Sequence, residues 1–365
     1  MHLERLHLID FKNYQEVDLQ FSSRINVLVG KNGSGKTNLL DAIYYLSMTR
    51  SAFSASDQQV IRIGQPFFVA RGHFKRDEVA QELVASLQSG SKKVFKEGGL
   101  DYQKMSDHVG KYPVVLITPD DTDLVKEGGE ARRKFFDSII SQLDKTYLED
   151  LMQYNHTLKQ RNALLRMFQE AGSFDSIALE AYDQALARLG LYIFRRRSEF
   201  VIEFLPVFRK YFQFLVADEE AGLEYDSLVK SKDFLRGLND TRHRDLALAR
   251  TSFGIHKDDY LFSLGGGDLK RLGSQGQQKS FVIAMKLTQY ELIERHKGFK
   301  PILLLDDIFD KLDDGRIARL LELIKRDLGQ LFITDARPDR TGLLLKAINV
   351  EASVFKIEKG NAKEV

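Results

Sequence analysis

The sequence predicts an α/β protein whose sheet-forming parts are separated by a helical insertion, and three observations carry that expectation. Short β-rich runs broken by turns fill the chain up to about Leu116. Apolar residues at helical spacing dominate from roughly Thr118 to Arg250. From about Phe253 onward strands and helices alternate, as in a parallel sheet covered by helices. The expected organisation is therefore a discontinuous lobe, residues 1–117 and 251–365, and a helical lobe, residues 118–250.

Each region supports this in turn. Leu3, Leu6, Leu8 and Phe11 form the apolar side of an alternating first strand. Ile25 to Val29, Phe67 to Ala70 and Val114 to Ile117 are compact apolar runs, and Ser89-Gly90-Ser91 and Gly98-Gly99 are hairpin-type turns. In the middle, Tyr182, Leu186, Leu189 and Ile193 fall on one helical face, as do Phe204, Phe208 and Phe212. Pro206 lies near the start of the second pattern and marks a helix start or kink. The last region offers strands at Tyr260 to Leu264, Ile302 to Leu305 and Leu331 to Thr334, and helices at Ser280 to Glu294 and Arg316 to Arg326.

Composition sets limits. With 365 residues and 43% hydrophobic content, the chain can bury a sizeable core without metals or disulfides. It has no cysteine, which excludes disulfides and thiolate-bound metals and fits a reducing cytoplasm. No apolar stretch of membrane-spanning length occurs, and the N-terminus lacks the layout of a signal peptide. The net charge of +2 means that any nucleic-acid contact must be a local patch.

Gly30-Lys31-Asn32-Gly33-Ser34-Gly35-Lys36-Thr37 matches the phosphate-loop pattern G-x-x-x-x-G-K-[ST] in full, between a strand (Ile25 to Val29) and a helix (Asn38 to Met48). Glycines let backbone N–H groups converge on phosphate oxygens, and the helix N-terminus adds a favourable dipole. Lys36 is expected to reach the β- and γ-phosphates of ATP, and the Thr37 hydroxyl to hold Mg²⁺. Ile302 to Leu305 is an apolar run that ends in Asp306 and Asp307. Carboxylates at the end of a buried strand suit metal and water chemistry: Asp306 is placed to organise Mg²⁺, Asp307 to orient or deprotonate the attacking water.

A second glycine motif, Ser274-Gln275-Gly276-Gln277-Gln278, opens an apolar helical run. Taken alone it reads as a helix cap. The order phosphate loop, Ser-x-Gly-Gln loop, acidic strand resembles the ABC-type ATPase head. It is closer still to the RecF family, through Asp10-Phe11-Lys12-Asn13-Tyr14, Ile117-Thr118-Pro119-Asp120, Arg132-Arg133-Lys134-Phe135-Phe136-Asp137 and Leu158-Lys159-Gln160-Arg161-Asn162-Ala163-Leu164-Leu165. Gly254-Ile255-His256-Lys257-Asp258-Asp259 and Leu305-Asp306-Asp307-Ile308-Phe309-Asp310-Lys311-Leu312-Asp313 complete the set, and the resemblance runs nearly the whole chain.

That resemblance implies an ABC-type P-loop ATPase head, a mixed sheet with flanking helices, and a helical second lobe without a long coiled coil. It implies ATP-dependent homodimerisation on double-stranded or gapped DNA, slow hydrolysis, recombinase loading beside RecO- and RecR-type mediators, and a role in replication and the SOS damage response. Carried over by position, Ser274 touches the γ-phosphate of ATP held by the other subunit, with Gly276 and Gln277 shaping that loop. Asp313 lies in the loop crossing the dimer interface, and Lys12 approaches the nucleotide from the first hairpin. Two positions depart from the wider ABC pattern. Asp307 stands where glutamate is frequent, and Thr334-Asp335 where a histidine is frequent.

Arg195-Arg196-Arg197, Arg132-Arg133-Lys134, Lys92-Lys93 and Arg242-His243-Arg244 are candidate DNA contacts, each reading more readily as a solvated face, so at most one or two are expected to matter. His256 is expected to be structural, since no second histidine lies at ligand spacing. Three alternatives compete. A transporter ATPase subunit fits poorly with the long insertion and the missing histidine. A decayed, non-enzymatic scaffold fits poorly with intact Lys36, Thr37, Asp306 and Asp307. An SMC-like head would need long heptad runs, which are missing.

Overall fold

The structure is a computed structural model that describes residues 1–216, 219–230, 233–311, 314–325, 328–337 and 351–365. It forms two compact units, Met1–Asp121 with Ile283–Val365, and Thr122–Val282.

The first unit opens with strands β1 (His2–Phe11), β2 (Tyr14–Gln20) and β3 (Ile25–Val29), helix α1 (Lys36–Met48), and strands β4 (Phe67–Arg76), β5 (Val79–Gln88), β6 (Val94–Glu97), β7 (Leu100–Asp101) and β8 (Val114–Ile117). The second holds helices α2 (Asp123–Lys126), α3 (Gly129–Leu143), α4 (Lys145–Ala171) and α5 (Ser176–Leu215), strand β9 (Ala221–Asp226), and helices α6 (Phe234–Asp240) and α7 (Arg242–Leu248). Strands β10 (Asp259–Leu264) and β11 (Gly267–Asp268), helix α8 (Leu269–Leu272) and the first turns of α9 (Gln275–Lys297) complete it. The chain then returns to the first unit with β12 (Ile302–Leu305), α10 (Asp314–Lys325), β13 (Leu331–Asp335), β14 (Ser353–Glu358) and β15 (Asn361–Glu364).

Two sheets build the first unit. One is antiparallel, in the order β2-β1-β4-β5-β6-β7; the other runs β15-β14-β3-β13-β12-β8, with only the β14–β15 pair antiparallel. Helix α1 shares one core with both: its Leu39, Leu40, Ile43 and Leu46 are fully buried with Leu6 and Leu8 of β1, Leu304 of β12 and Phe332 of β13. A helix that is apolar on most sides belongs in such an interior. Each of these side chains contributes roughly 1.5–3 kcal/mol relative to exposure, which fixes the start of α1 where the chemistry needs it. Strand β1 departs from strict alternation because its register against β4 shifts between Leu3 and Arg5. That bulge-like irregularity lets Leu3 face inward with Leu6 and Leu8, and Asp10 at φ +48° breaks the alternation again before the buried Phe11.

In the second unit α4 packs along α5, and Asp175 caps α5 by accepting from the Ile177 and Ala178 N–H groups at 2.9 and 3.1 Å. Helix α5 is continuous through Pro206, so the Tyr182 and Phe204 patterns belong to one 40-residue helix, not two. Residues 251–282, expected with the discontinuous lobe, pack with the helical unit. Strand β10 pairs along its length with β9, and the Phe281 ring lies 4.7 Å from Phe208 of α5. Strand β9 is a short period-two alternation, with Ala221, Leu223 and Tyr225 buried, inside a region that otherwise reads helical. Among the described residues no helix is long and apolar enough to cross a membrane.

Candidate active site

The site begins at β3, whose five residues are all buried. Strand order places β3 between β14 and β13, and β13 between β3 and β12, so the ends of β3, β13 and β12 lie side by side. Parallel strands bring their carboxyl ends to one edge, where the loops meet.

The phosphate loop leaves β3 at Gly30, whose N–H donates to the Asp335 carbonyl of β13 at 3.3 Å. A Cβ at Gly30 would lie 2.3 Å from the Ile357 carbonyl oxygen of β14, so only glycine fits. Gly35 has φ +118°, and a Cβ there would lie 2.5 Å from Asn13 Nδ2. The hairpin β1–β2 holds the loop from outside: Tyr14 Oη donates to the Gly35 carbonyl at 3.0 Å and Asn13 Nδ2 to the Ser34 carbonyl at 3.2 Å. Beside Asn13 the Gly360 N–H donates to the same Ser34 carbonyl at 3.2 Å. Lys31, Asn32 and Gly33 at the tip stay exposed. No side chain caps the N-terminus of α1, so its N–H groups remain available to an anion. Lys36 is 4% exposed and its ammonium donates to the Gly30 and Lys31 carbonyls at 2.9 and 3.3 Å, bent back over the loop.

At the next residue, the Thr37 hydroxyl lies 3.0 Å from both carboxylate oxygens of Asp306. Asp306 follows β12 and is 5% exposed; its N–H donates to the Ile117 carbonyl at 2.9 Å. Burial pushes its carboxyl pKa up, and hydrogen bonds from the Thr334 and Thr37 hydroxyls oppose that. Thr334, fully buried in β13, donates to Asp306 Oδ1 at 2.7 Å and accepts from the Asp307 N–H at 2.8 Å. Asp307 itself adopts φ +43°, a conformation that L-residues avoid unless their surroundings enforce it. Thr37, Asp306, Thr334 and Asp307 thus form one continuous hydrogen-bonded line beneath the phosphate loop. Mg²⁺ fits this donor set: a threonine hydroxyl and a buried carboxylate, both hard oxygens, the latter short of compensating positive charge.

The remaining sequence candidates sit elsewhere. Ser274, Gly276 and Gln277 lie at the start of α9, in the second unit. The Ser274 N–H donates to Gln277 Oε1 at 2.7 Å and the Gln277 N–H to Ser274 Oγ at 3.3 Å, a reciprocal cap that shapes the loop. Gln277 Nε2 also donates to Glu219 at 2.8 Å. Lys12 stands in the turn after β1 beside Asn13, its ammonium paired with the buried carboxylate of Asp41 and 5.5 Å from the Phe53 ring. Asp313 lies outside the described residues. Thr334, Asn13 and Tyr14 were not expected in these roles, although Asn13 and Tyr14 belong to a segment carrying the family resemblance.

The basic clusters mostly dissolve into ion pairs. Arg197 is buried against Asp137 and Asp258, Arg196 pairs with Asp144 and Glu199, Arg132 with Asp259, Lys134 with Glu130 and Lys93 with Asp57. His256 is hydrogen-bonded between Tyr154 Oη (2.9 Å) and the Thr251 carbonyl (3.1 Å), and burial pushes its pKa down to about 4. It is a neutral structural side chain at neutral pH.

The RecF/RecN/SMC N-terminal domain family model matches residues 2–103. A DNA replication and repair protein RecF from Cytophaga hutchinsonii is 46% identical over 367 residues, covering 100% of this chain and 97% of that protein. Its counterpart from Flavobacterium johnsoniae is also 46% identical, covering 98% and 100%. A solved structure of the recombination mediator protein RecF with ATP, in the RecFOR pathway, superimposes with a TM-score of 0.91 at 29% identity, covering 100% and 97%. An Smc head from Pyrococcus furiosus, at 18% identity and a TM-score of 0.58, shares the fold over 100% of this chain and 96% of that one.

Proposed function

The chain belongs to the RecF family of DNA replication and repair proteins, and from that premise we propose that it is a slow ATPase that clamps DNA as an ATP-bridged homodimer in the cytoplasm. The observation that carries this is the hydrogen-bonded line from Thr37 through Asp306 and Thr334 to Asp307, set directly under a complete phosphate loop.

In this proposal the loop amides from Gly30 to Gly35 cradle the phosphates, and Lys36 exchanges its carbonyl partners for β- and γ-phosphate oxygens. Thr37 and Asp306 would hold Mg²⁺. Bound Mg²⁺ supplies charge neutralisation on the phosphate oxygens. Asp307 orients a water whose oxygen attacks the γ-phosphorus; it takes the water's proton while the β–γ bridging bond breaks and ADP leaves with the electron pair. An aspartate reaches less far than a glutamate, which suits a slow switch. Ser274, Gly276 and Gln277 of a second copy close over the γ-phosphate, so ATP favours the dimer and hydrolysis releases it. Lys12, paired here with Asp41, approaches the nucleotide from the first hairpin. Duplex or gapped DNA is held mainly by its phosphates, and RecO- and RecR-type mediators assist recombinase loading in gap repair, replication and the SOS response.

Fluorescence anisotropy with a gapped duplex tests the clamp. Tight binding in ATP–Mg²⁺, loss in ADP–Mg²⁺ and loss in Ser274→Arg with ATP affinity intact are expected. Equal binding in both nucleotides would show that DNA contact is not gated by ATP.

A further inference from the structure

Among the cations of the helical unit that make no ion pair, four lie close to one another. Arg244 in α7, Arg250 just after it and Lys257 just before β10 are exposed, and among the described residues none makes an ion pair. Arg133 of α3 is half-buried and donates to the backbone carbonyl of Asp258, not to a carboxylate.

The backbone gathers these residues. Ala249 ends α7 with φ +49°, turning the chain back so that the Arg250 N–H donates to the Asp245 carbonyl at 3.1 Å. The Ser252 N–H then donates to Asp245 Oδ1 at 2.9 Å, and His256 Nε2 pairs with the Thr251 carbonyl at 3.1 Å. The Lys257 N–H closes the next turn on the Gly254 carbonyl at 2.9 Å. Helix α7, the segment after it and the turn before β10 are thereby stitched into one ridge, and the Arg133 bond to Asp258 ties α3 to its edge. Burial is the main influence lowering the Lys257 pKa, followed by the charges of Arg250, Arg133 and Arg244. All three guanidinium groups therefore lie within electrostatic reach of that ammonium. The carboxylate that opposes them, Asp245, is fully buried and bound by Arg161 at 2.8 Å, so it neutralises little of the exposed charge.

Mutually repelling exposed cations weaken the fold, and such a cluster is the electrostatic footprint of an anionic partner. Arg244, Arg250 and Lys257 are exposed and come from a helix, the segment after it and the turn before β10, so an extended polyanion can meet several of them at once. We infer that Arg133, Arg244, Arg250 and Lys257 form a phosphate-contacting surface for duplex DNA on the helical unit. This rests on the DNA-binding function proposed above.

The test is duplex affinity of the full-length protein in ATP–Mg²⁺ across a salt series. It compares wild type, Arg244→Ala/Arg250→Ala/Lys257→Ala, and Arg244→Lys/Arg250→Lys. Each lost phosphate contact lowers the slope of log K against log salt by about 0.9, so the alanine triple is expected to lose about 2–3 in slope. Its affinity should fall at least tenfold at low salt, with binding of a fluorescent ATP analogue unchanged, while the lysine variant keeps the wild-type slope. A folded alanine triple with wild-type DNA affinity and slope would overturn the inference and make the ridge a docking face for an acidic protein. Wild type failing to bind duplex at all would overturn the DNA-clamp function itself, and this surface with it.

Discussion

Thr334 is the side chain through which strand β13 couples the buried Asp306 carboxylate to Asp307, and Thr334→Val isolates that coupling. Valine keeps the shape and the β-branch, so packing at this fully buried position is preserved. Two hydrogen bonds vanish: the 2.7 Å donation to Asp306 Oδ1 and the 2.8 Å acceptance from the Asp307 N–H. A hydrogen bond to a charged group is worth about 1.5–3 kcal/mol, and Asp307 is held at φ +43° in part by the second bond. If about 2 kcal/mol of that is expressed only when Asp307 positions water, turnover falls roughly thirtyfold. The assay is phosphate release at saturating ATP–Mg²⁺, beside equilibrium binding of a fluorescent ATP analogue. Turnover should fall while analogue affinity changes less than threefold, and Thr334→Ser should recover most of the rate. Thr334→Val turning over ATP at the wild-type rate would refute the coupling.

Other perturbations follow from the same geometry. Gly35→Ala forces an L-residue to φ +118° with its Cβ 2.5 Å from Asn13 Nδ2, so nucleotide affinity should drop tenfold or more by analogue titration. Arg161→Met leaves Asp183 and Asp245 buried without their guanidinium, held now at 2.6 and 2.8 Å, and should cost about 3–5 kcal/mol in urea unfolding of the helical unit. Because the folded His256 pKa of about 4 lies below its ordinary value, its contribution is fully present above about pH 6.5 and is lost as pH falls toward 4. Stability should drop by about 2 kcal/mol for this group between pH 7 and pH 5, and His256→Gln should flatten that part of the profile.

The phosphate loop, the strand before it and the acidic strand were legible because each depends on local chemistry. A glycine pattern followed by a helix, and an apolar run ending in carboxylates, have few other uses. Thr334 was not legible as a bridge, because its role depends on strand order: only once β13 lies between β3 and β12 does its hydroxyl reach Asp306 and the Asp307 amide. The extent of the helical unit was missed for the same kind of reason. β10 reads as one strand of an α/β alternation, but its partner β9 lies across intervening helices, and neither strand's own pattern says which strand it pairs with. Charge runs misled most. Arg195-Arg196-Arg197 looks like a basic face, yet it sits on a helix whose successive side chains point in different directions, so Arg197 is buried among carboxylates and Arg195 is exposed. Arg133, Arg244, Arg250 and Lys257, by contrast, come from separate segments that only the fold brings together.

The ATP-bridged dimer is tested most directly by sedimentation of the full-length protein with ATP–Mg²⁺, with ADP–Mg²⁺, and as the Ser274→Arg variant with ATP–Mg²⁺. The account predicts a doubling of mass in the first condition alone. A monomer in all three conditions, or a dimer that persists in ADP and in the variant, would contradict it.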